Sequence, residues 1–388
     1  MMKRYLLLFL IGINLYSQEI ITDTKNEILQ NNLNQSIEDA KLQKDSWVNP
    51  AVIEATDSKF KLPNSDTSLR TKKVSINIEQ EIFKSGAILK SISKGKNLET
   101  LSRLTYEKEK KEILFYIYSN VISLNIIDLN LKKIQLLLEN KELEVDKKLD
   151  LYNNGLLDIN ELDETIIELS ELKNSMEDLK IEKSKFIAQL KNISSKNYKE
   201  ISLDILSNIS MDQYLDKNLE LETANLAMID SKYDYDITKA SYLPKASLYG
   251  SYGYEDMENQ KNDDYYQYGL KISMPLDYNY KKSIQSAKYR SFVMNAQLKD
   301  KKNIEKNSYE SIQENLTYLD KKIEHTKTIL KRYESINELV FDMYQNSLKT
   351  KSDYTTISNR LKVVNLDIKT LEFEKKYLFN ELFKNTNI

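Results

Sequence analysis

Apolar side chains return at every seventh position along two long stretches of this chain, and no other feature restricts its fold as much. In the first stretch Ile117, Leu124, Leu131, Leu138, Val145 and Tyr152 keep the period, with Ile113, Ile127 and Ile134 beside them. After a break, Leu172, Leu179, Phe186 and Ile193 resume it, accompanied by Leu162, Leu169 and Met176. The second stretch repeats the arrangement: Ile312, Leu319, Thr326, Tyr333 and Val340 run beside Leu316, Ile323, Leu330 and Tyr344. Ile357, Val364, Leu371 and Leu378 then run beside Leu361, Ile368 and Leu382. A sustained period of about 3.5 residues predicts helices packed side by side along a coiled-coil seam. No Gly or Pro interrupts Lys96–Asn154 or Lys281–Ile388. A helix of about 60 residues is roughly 90 Å long, far beyond the ordinary globular helix.

Composition agrees and removes alternatives. The 388 residues include only 7 Gly and 4 Pro, against usual shares of about 7% and about 5%. Turns are therefore scarce, which argues against Rossmann, TIM-barrel and sandwich enzymes, whose corners need these residues. Lys and Arg number 57 against 59 Asp and Glu, a net charge of −2. Such a balance describes a mixed, solvated surface and not a nucleic-acid-binding one. With no Cys and a single His, His325 between seam positions, thiol chemistry, disulfides and nearly all transition-metal sites are excluded. No paired carboxylates, phosphate loop or Ser/His/Asp set stands out, so no catalytic residue, cofactor or metal is expected.

The start of the chain reads as an address. Met1-Met2-Lys3-Arg4 is basic, Tyr5–Ile13 is a short apolar run, and Leu15 and Ser17 suit a signal peptidase. Residues 1–17 are expected to be a secretory signal peptide, the run being too short to span a membrane. No later segment reads as an apolar stretch of the ~18 residues or more that a membrane helix needs.

The breaks in the heptads lie 192 positions apart. Tyr152–Glu161, with Gly155, and Tyr344–Asp353, with Ser347, each read as a tight turn between two antiparallel helices. Upstream of each long helix lies an alternating segment. In the second half Leu243–Tyr254 and Tyr266–Leu276 alternate around a polar stretch; in the first, Val74, Ile76, Ile78 and Ile82 alternate with Ser75, Asn77, Glu79 and Glu81, with a weaker partner near Ala51–Phe60. Both read as β-hairpins. Pro50 and Pro244 are 194 apart, as are Glu81 and Pro275. The chain thus divides into two repeats of helix, β-hairpin, long helix, turn and helix. The first covers 18–200, with a β-hairpin at about 48–83 and a helical hairpin at about 84–195. The second covers 201–388, with a β-hairpin at about 242–276 and a helical hairpin at about 280–386. The fold class is mainly α with a small β part.

Strands of this length with one apolar face suit a membrane β-barrel. Four strands cannot close alone, because open edges in lipid leave backbone groups unpaired. Several copies around a cyclic axis would each supply four strands, and the same axis would gather the long helices into a tube.

The run Ser241–Gly250 followed by Tyr268-Gly269-Leu270-Lys271-Ile272-Ser273-Met274-Pro275-Leu276 resembles the TolC-type outer-membrane efflux family, in which a Pro-Leu pair leads from the second strand into a long helix. Tyr152–Glu161 resembles that family's helical tip: an aromatic, Gly-Leu, and an acidic residue six positions after the Gly. The resemblance covers essentially the whole mature chain. It implies a homotrimer in which a shared twelve-stranded barrel in outer-membrane lipid continues into an α-helical tunnel through the periplasm of a diderm bacterium. It also implies a passive exit duct of a tripartite efflux pump or type I secretion system, served by a periplasmic adaptor and an inner-membrane pump of RND or ABC type. Two departures stand out: the first hairpin leaves through Glu81–Gly86 without a Pro, and Ser347 replaces the Gly of the first tip.

Site residues follow from the same resemblance. Asp353 and Glu161 are expected as periplasmic gate residues, three copies of each forming a carboxylate ring that favours cations; as plain first-turn acids they would instead serve the helix dipole. Gly155, Leu156, Ser347 and Leu348 are expected at tips that dock the adaptor, although Leu156 also suits a capping contact. Trp47, Tyr249, Tyr252, Tyr254, Tyr266 and Tyr268 are expected in an interfacial aromatic belt. The main alternative is an exported coiled-coil tether or periplasmic adaptor without a barrel. A soluble helical interaction protein with an accidental leader is a second.

Overall fold

A computed structural model describes residues 20–61, 68–203, 208–257 and 263–387. The expected signal peptide lies outside the described residues, as do the tips of both β-hairpins. The elements follow in the order α1 (Asp23–Lys44), β1 (Val52–Lys61), β2 (Ser68–Phe83), α2 (Ala87–Asn153), α3 (Ile159–Lys191), then α4 (Met211–Asp216), α5 (Leu219–Ala240), β3 (Lys245–Met257), β4 (Asp263–Ser273), α6 (Tyr280–Gln345) and α7 (Lys351–Lys384). Helix, hairpin, long helix, turn and helix occur twice. The chain forms two compact units, one of residues up to 29 with 108–219 and 304 onward, the other of 30–107 with 220–303.

The first unit is helical. The antiparallel neighbours α2 and α3 are tied by Lys141–Glu168 and Lys183–Asp128. A similar tie, Lys375–Asp320, joins α7 to α6. Helix α7 also runs antiparallel along α2, as the pairs Lys384–Glu112, Lys133–Asp367 and Asn359–Asn140 show. The heptad residues do what their spacing demands: Ile117, Leu124, Leu138, Ile312 and Ile323 are buried. One core gathers Ile117, Val121 and Leu124 with Ile20, Ile21 and Leu190; another gathers Tyr309, Ile312 and Leu316 with Tyr214 and Leu382. One stretch of α2 is, contrary to the sequence reading, long and apolar enough to cross a membrane by length and composition. The heptad positions alone understate its apolarity, since Val121 and Ile122 are buried beside them and widen the apolar stripe.

The second unit carries the sheet, in the order β1-β2-β3-β4, antiparallel throughout. Helix α5 braces the start of α2 through Lys90–Asp236 and Lys94–Asp234. The missing Pro of the first hairpin has a substitute: Ser85 and Gly86 both take positive φ, and Ser85 Oγ donates to the Pro244 carbonyl at 2.7 Å. That turn redirects the chain from β2 into α2.

Candidate functional site: the sheet face and the helical tips

The sheet is inverted relative to one in a soluble domain. On β2 the even positions Val74, Ile76, Ile78 and Ile82 are exposed, while the odd positions Thr71, Ser75 and Glu81 are buried. The register carries this across the ladder. Ile76 pairs with Tyr252, which pairs with Tyr266; Ile78 pairs with Gly250, which pairs with Tyr268. Ile53, Leu248, Leu270 and Ile272 complete the exposed apolar face. The opposite face is polar and internally paired. Glu81 binds both Lys84 and Lys245 at 2.7 Å, Lys271 reaches Glu79 at 3.1 Å, and Ser251 donates to Asn77 at 2.6 Å. Apolar-out and polar-in, with strands of 10, 16, 13 and 11 residues, matches what a lipid-facing strand of about 9–11 residues requires.

Of the six aromatics expected in a belt, Tyr252, Tyr254, Tyr266 and Tyr268 stand on the apolar face, with Tyr266 and Tyr268 stacked at 6.4 Å and 76% and 80% exposed. Tyr249 does not join them. It occupies an odd position on β3, so the two-residue period turns it to the polar face. Trp47 is half-buried ahead of β1, its carbonyl accepting from Gln80 Nε2 at 2.9 Å.

The two tips are one turn made twice. After α2, the Leu156 amide donates to the Leu151 carbonyl and that of Gly155 to Tyr152, both at 2.9 Å; after α6, Leu348 donates to Met343 at 2.8 Å and Ser347 to Tyr344 at 3.0 Å. This is the paired bonding of a Schellman cap, with the left-handed residue supplied by Gly155 (φ 70°) and Ser347 (φ 60°). Asn154 and Asn346 donate to the carbonyls four residues back. Leu156 and Leu348, 73% and 72% exposed, leave the hydrophobic contact of such a cap unmade.

Both acidic residues occupy the third position of the following helix. Asp158 caps α3, which places Glu161 exposed in its first turn. Thr350 caps α7 in a full capping box: its Oγ1 accepts from the Asp353 amide at 3.1 Å, and Asp353 Oδ2 accepts from the Thr350 amide at 3.2 Å. That amide is the main reason the Asp353 carboxyl lies below its usual range, with Lys147 and Lys349 assisting; Lys147 Nζ stands 3.9 Å away. The sequence did not reveal that this carboxylate is already engaged as a cap, although Thr350 three residues before Asp353 was the available signal.

No protein-family model and no curated protein sequence matches the chain. Solved structures do. The outer membrane protein VceC of Vibrio cholerae superposes with a TM-score of 0.74 at 14% identity, covering 92% of both chains. The CmeC outer membrane channel of Campylobacter jejuni gives 0.74 at 14%, over 94% of this chain and 83% of that one. The open-state MtrE outer membrane channel of Neisseria gonorrhoeae gives 0.65 at 12%, over 92% and 85%. The chain has the TolC-type channel fold. The agreement extends over more than nine-tenths of the chain.

Proposed function

We propose that the chain is the outer-membrane exit duct of a tripartite efflux pump or type I secretion system. The observation that carries this is the sheet: a four-stranded antiparallel sheet with its apolar face exposed, its polar face internally paired and both edge strands open, on a TolC-type fold. Such a sheet is stable only in lipid and only when its edges are paired. Three copies would supply twelve strands and close a barrel, within the size range of membrane barrels, which start at about eight strands. The repeats at 18–200 and 201–388 would then each give one β-hairpin to the barrel and one helical hairpin to a periplasmic tunnel. Tyr252, Tyr254, Tyr266, Tyr268 and Trp47 would form the interfacial belt. The duct is passive; a periplasmic adaptor and an inner-membrane RND or ABC pump supply the coupling.

At the tips, Leu156 and Leu348 beside Gly155 and Ser347 form two equivalent apolar points, suited to an adaptor. Asp353 and Glu161 line the constriction, and three copies of Asp353 favour cations. A coiled-coil tether or adaptor without a barrel has no use for an outward apolar sheet face.

The decisive experiment is detergent-corrected light scattering on protein extracted from the outer membrane. A mass near three chains is expected, and a detergent-independent monomer would overturn the reading. Asp353→Asn keeps a cap acceptor while removing charge, so it should lower cation preference without loss of assembly. Unchanged ion selectivity would remove Asp353 from the gate. Leu156→Asp with Leu348→Asp should leave assembly intact and abolish efflux; retained efflux would free the tips of a docking role.

A further inference from the structure

Two tyrosines on the polar face of the sheet stand opposite glycines. Tyr249 on β3 pairs with Gly269 on β4, and Tyr265 on β4 pairs with Gly253 on β3. Neither glycine has a positive φ, so backbone freedom does not account for them. Space does. A Cβ on Gly269 would lie 2.7 Å from Tyr249 Oη and 2.8 Å from its Cζ; one on Gly253 would lie 2.6 Å from the Val74 carbonyl oxygen and 2.8 Å from both Ser75 Cβ and Tyr265 Cε1. Each ring therefore lies down across its glycine, where a strand side chain ordinarily stands off the sheet. Lys73 Nζ sits 4.6 Å from the Tyr265 ring centroid, a cation–π contact that also holds that ring in place.

We infer that Tyr249 and Tyr265 set the clear width of the conduit at the level of the sheet. Recumbent on Gly269 and Gly253, the rings keep the bore open, and a side chain at Gly269, where only Tyr249 stands in the way, lifts that ring into it. The inference rests on the channel reading above, in which the polar face lines the lumen; it adds which residues of that face decide the size of the solute that passes. Tyr249, with no cation above it among the described residues, is the ring more easily raised.

The chain contains no cysteine, so one introduced thiol reports alone. Gln267→Cys places it on the polar face of β4 between the two rings. In vesicles holding the full chain, a small and a bulky membrane-impermeant thiol reagent are compared with and without Gly269→Val. The bulky reagent is expected to slow on the order of tenfold and the small one far less, as a narrowed pore requires. Adding Tyr249→Ala should restore the bulky rate. Equal bulky rates with and without Gly269→Val overturn the inference. If Gly269→Val does not assemble, Tyr249→Ala alone decides: faster bulky labelling supports the assignment, and an unchanged rate overturns it. Tyr268→Cys, on the apolar face, separates the two levels of argument. Labelling there as fast as at Gln267→Cys would mean the sheet encloses no lumen, and the channel reading itself would fall.

Discussion

Ser347 holds a left-handed backbone at the place where the other tip uses glycine. A side chain there costs about 1 kcal/mol that glycine avoids, and nothing at this exposed turn returns it. Ser347→Gly is expected to raise the thermal midpoint by roughly 1–3 °C, and Gly155→Ala to lower it by a similar amount; circular dichroism on the assembled protein reads both. Gly95 makes the opposite case. It lies inside α2, where glycine weakens a helix, and a Cβ on it would fall 2.4 Å from Lys44 Cβ and 2.6 Å from Lys44 Cα. The end of α1 crosses α2 at this point, and only a bare backbone admits it. Gly95→Ala gains helix propensity yet should lose about 1–3 kcal/mol net to overpacking, seen as a lower midpoint and faster proteolysis near Lys44. The position of the Ser347 turn was legible because it lies 192 positions from Gly155; its left-handed residue was not, since serine does not announce one. The reason for Gly95 was hidden because the residue it accommodates is about fifty positions away.

Among the elements, the long helices were the plainest in the sequence and β1 the faintest. Glu54, Thr56, Asp57, Ser58 and Lys59 leave β1 no alternation of its own, and it is a strand because β2 offers it an edge, Ile53 opposite Ile76 and Ala55 opposite Val74. Register between helices was equally hidden, because heptads fix which face packs but not which residue meets which. Asn359 supplies part of that information. Buried on α7, its amide donates to Glu139 and Asn140 of α2 at 2.9 and 3.0 Å. Asn359→Leu should cost about 1–3 kcal/mol by removing two interhelical hydrogen bonds, one of them to a carboxylate, whereas Asp367→Asn, at the half-exposed pair with Lys133, should cost less than about 1 kcal/mol. Thermal midpoints of the two variants test the contrast. The start of α7 carries a pH signature. Because the Asp353 carboxyl lies below its usual value when folded, its capping contribution is complete above about pH 4 and is lost as pH falls through the folded value. Asp353→Asn should remove that acid-dependent part of α7 stability, measured as helical signal between neutral pH and pH 3.

For the whole molecule, the test lies in the polarity of the sheet. In the proposed barrel, Ile76→Lys places a charge on the outward apolar face at the level of Tyr252 and should cost about 1 kcal/mol there, read as a lower dissociation temperature of the expected oligomer on gels. Asn77→Lys, one residue away on the polar face, should leave that oligomer intact. Equal behaviour of the two would mean that the outward face does not meet lipid.

The inverted sheet also sets an order of events. In water its apolar face and open edges have no partners, while the helical hairpins, built from contacts close in sequence, can form without help. On the proposed duct reading the chain would therefore mature in two solvents, its helices settled first and its strands completed in the bilayer. In such a duct, a copy that never reached lipid would differ from a mature one in its unpaired strands and not in its helices.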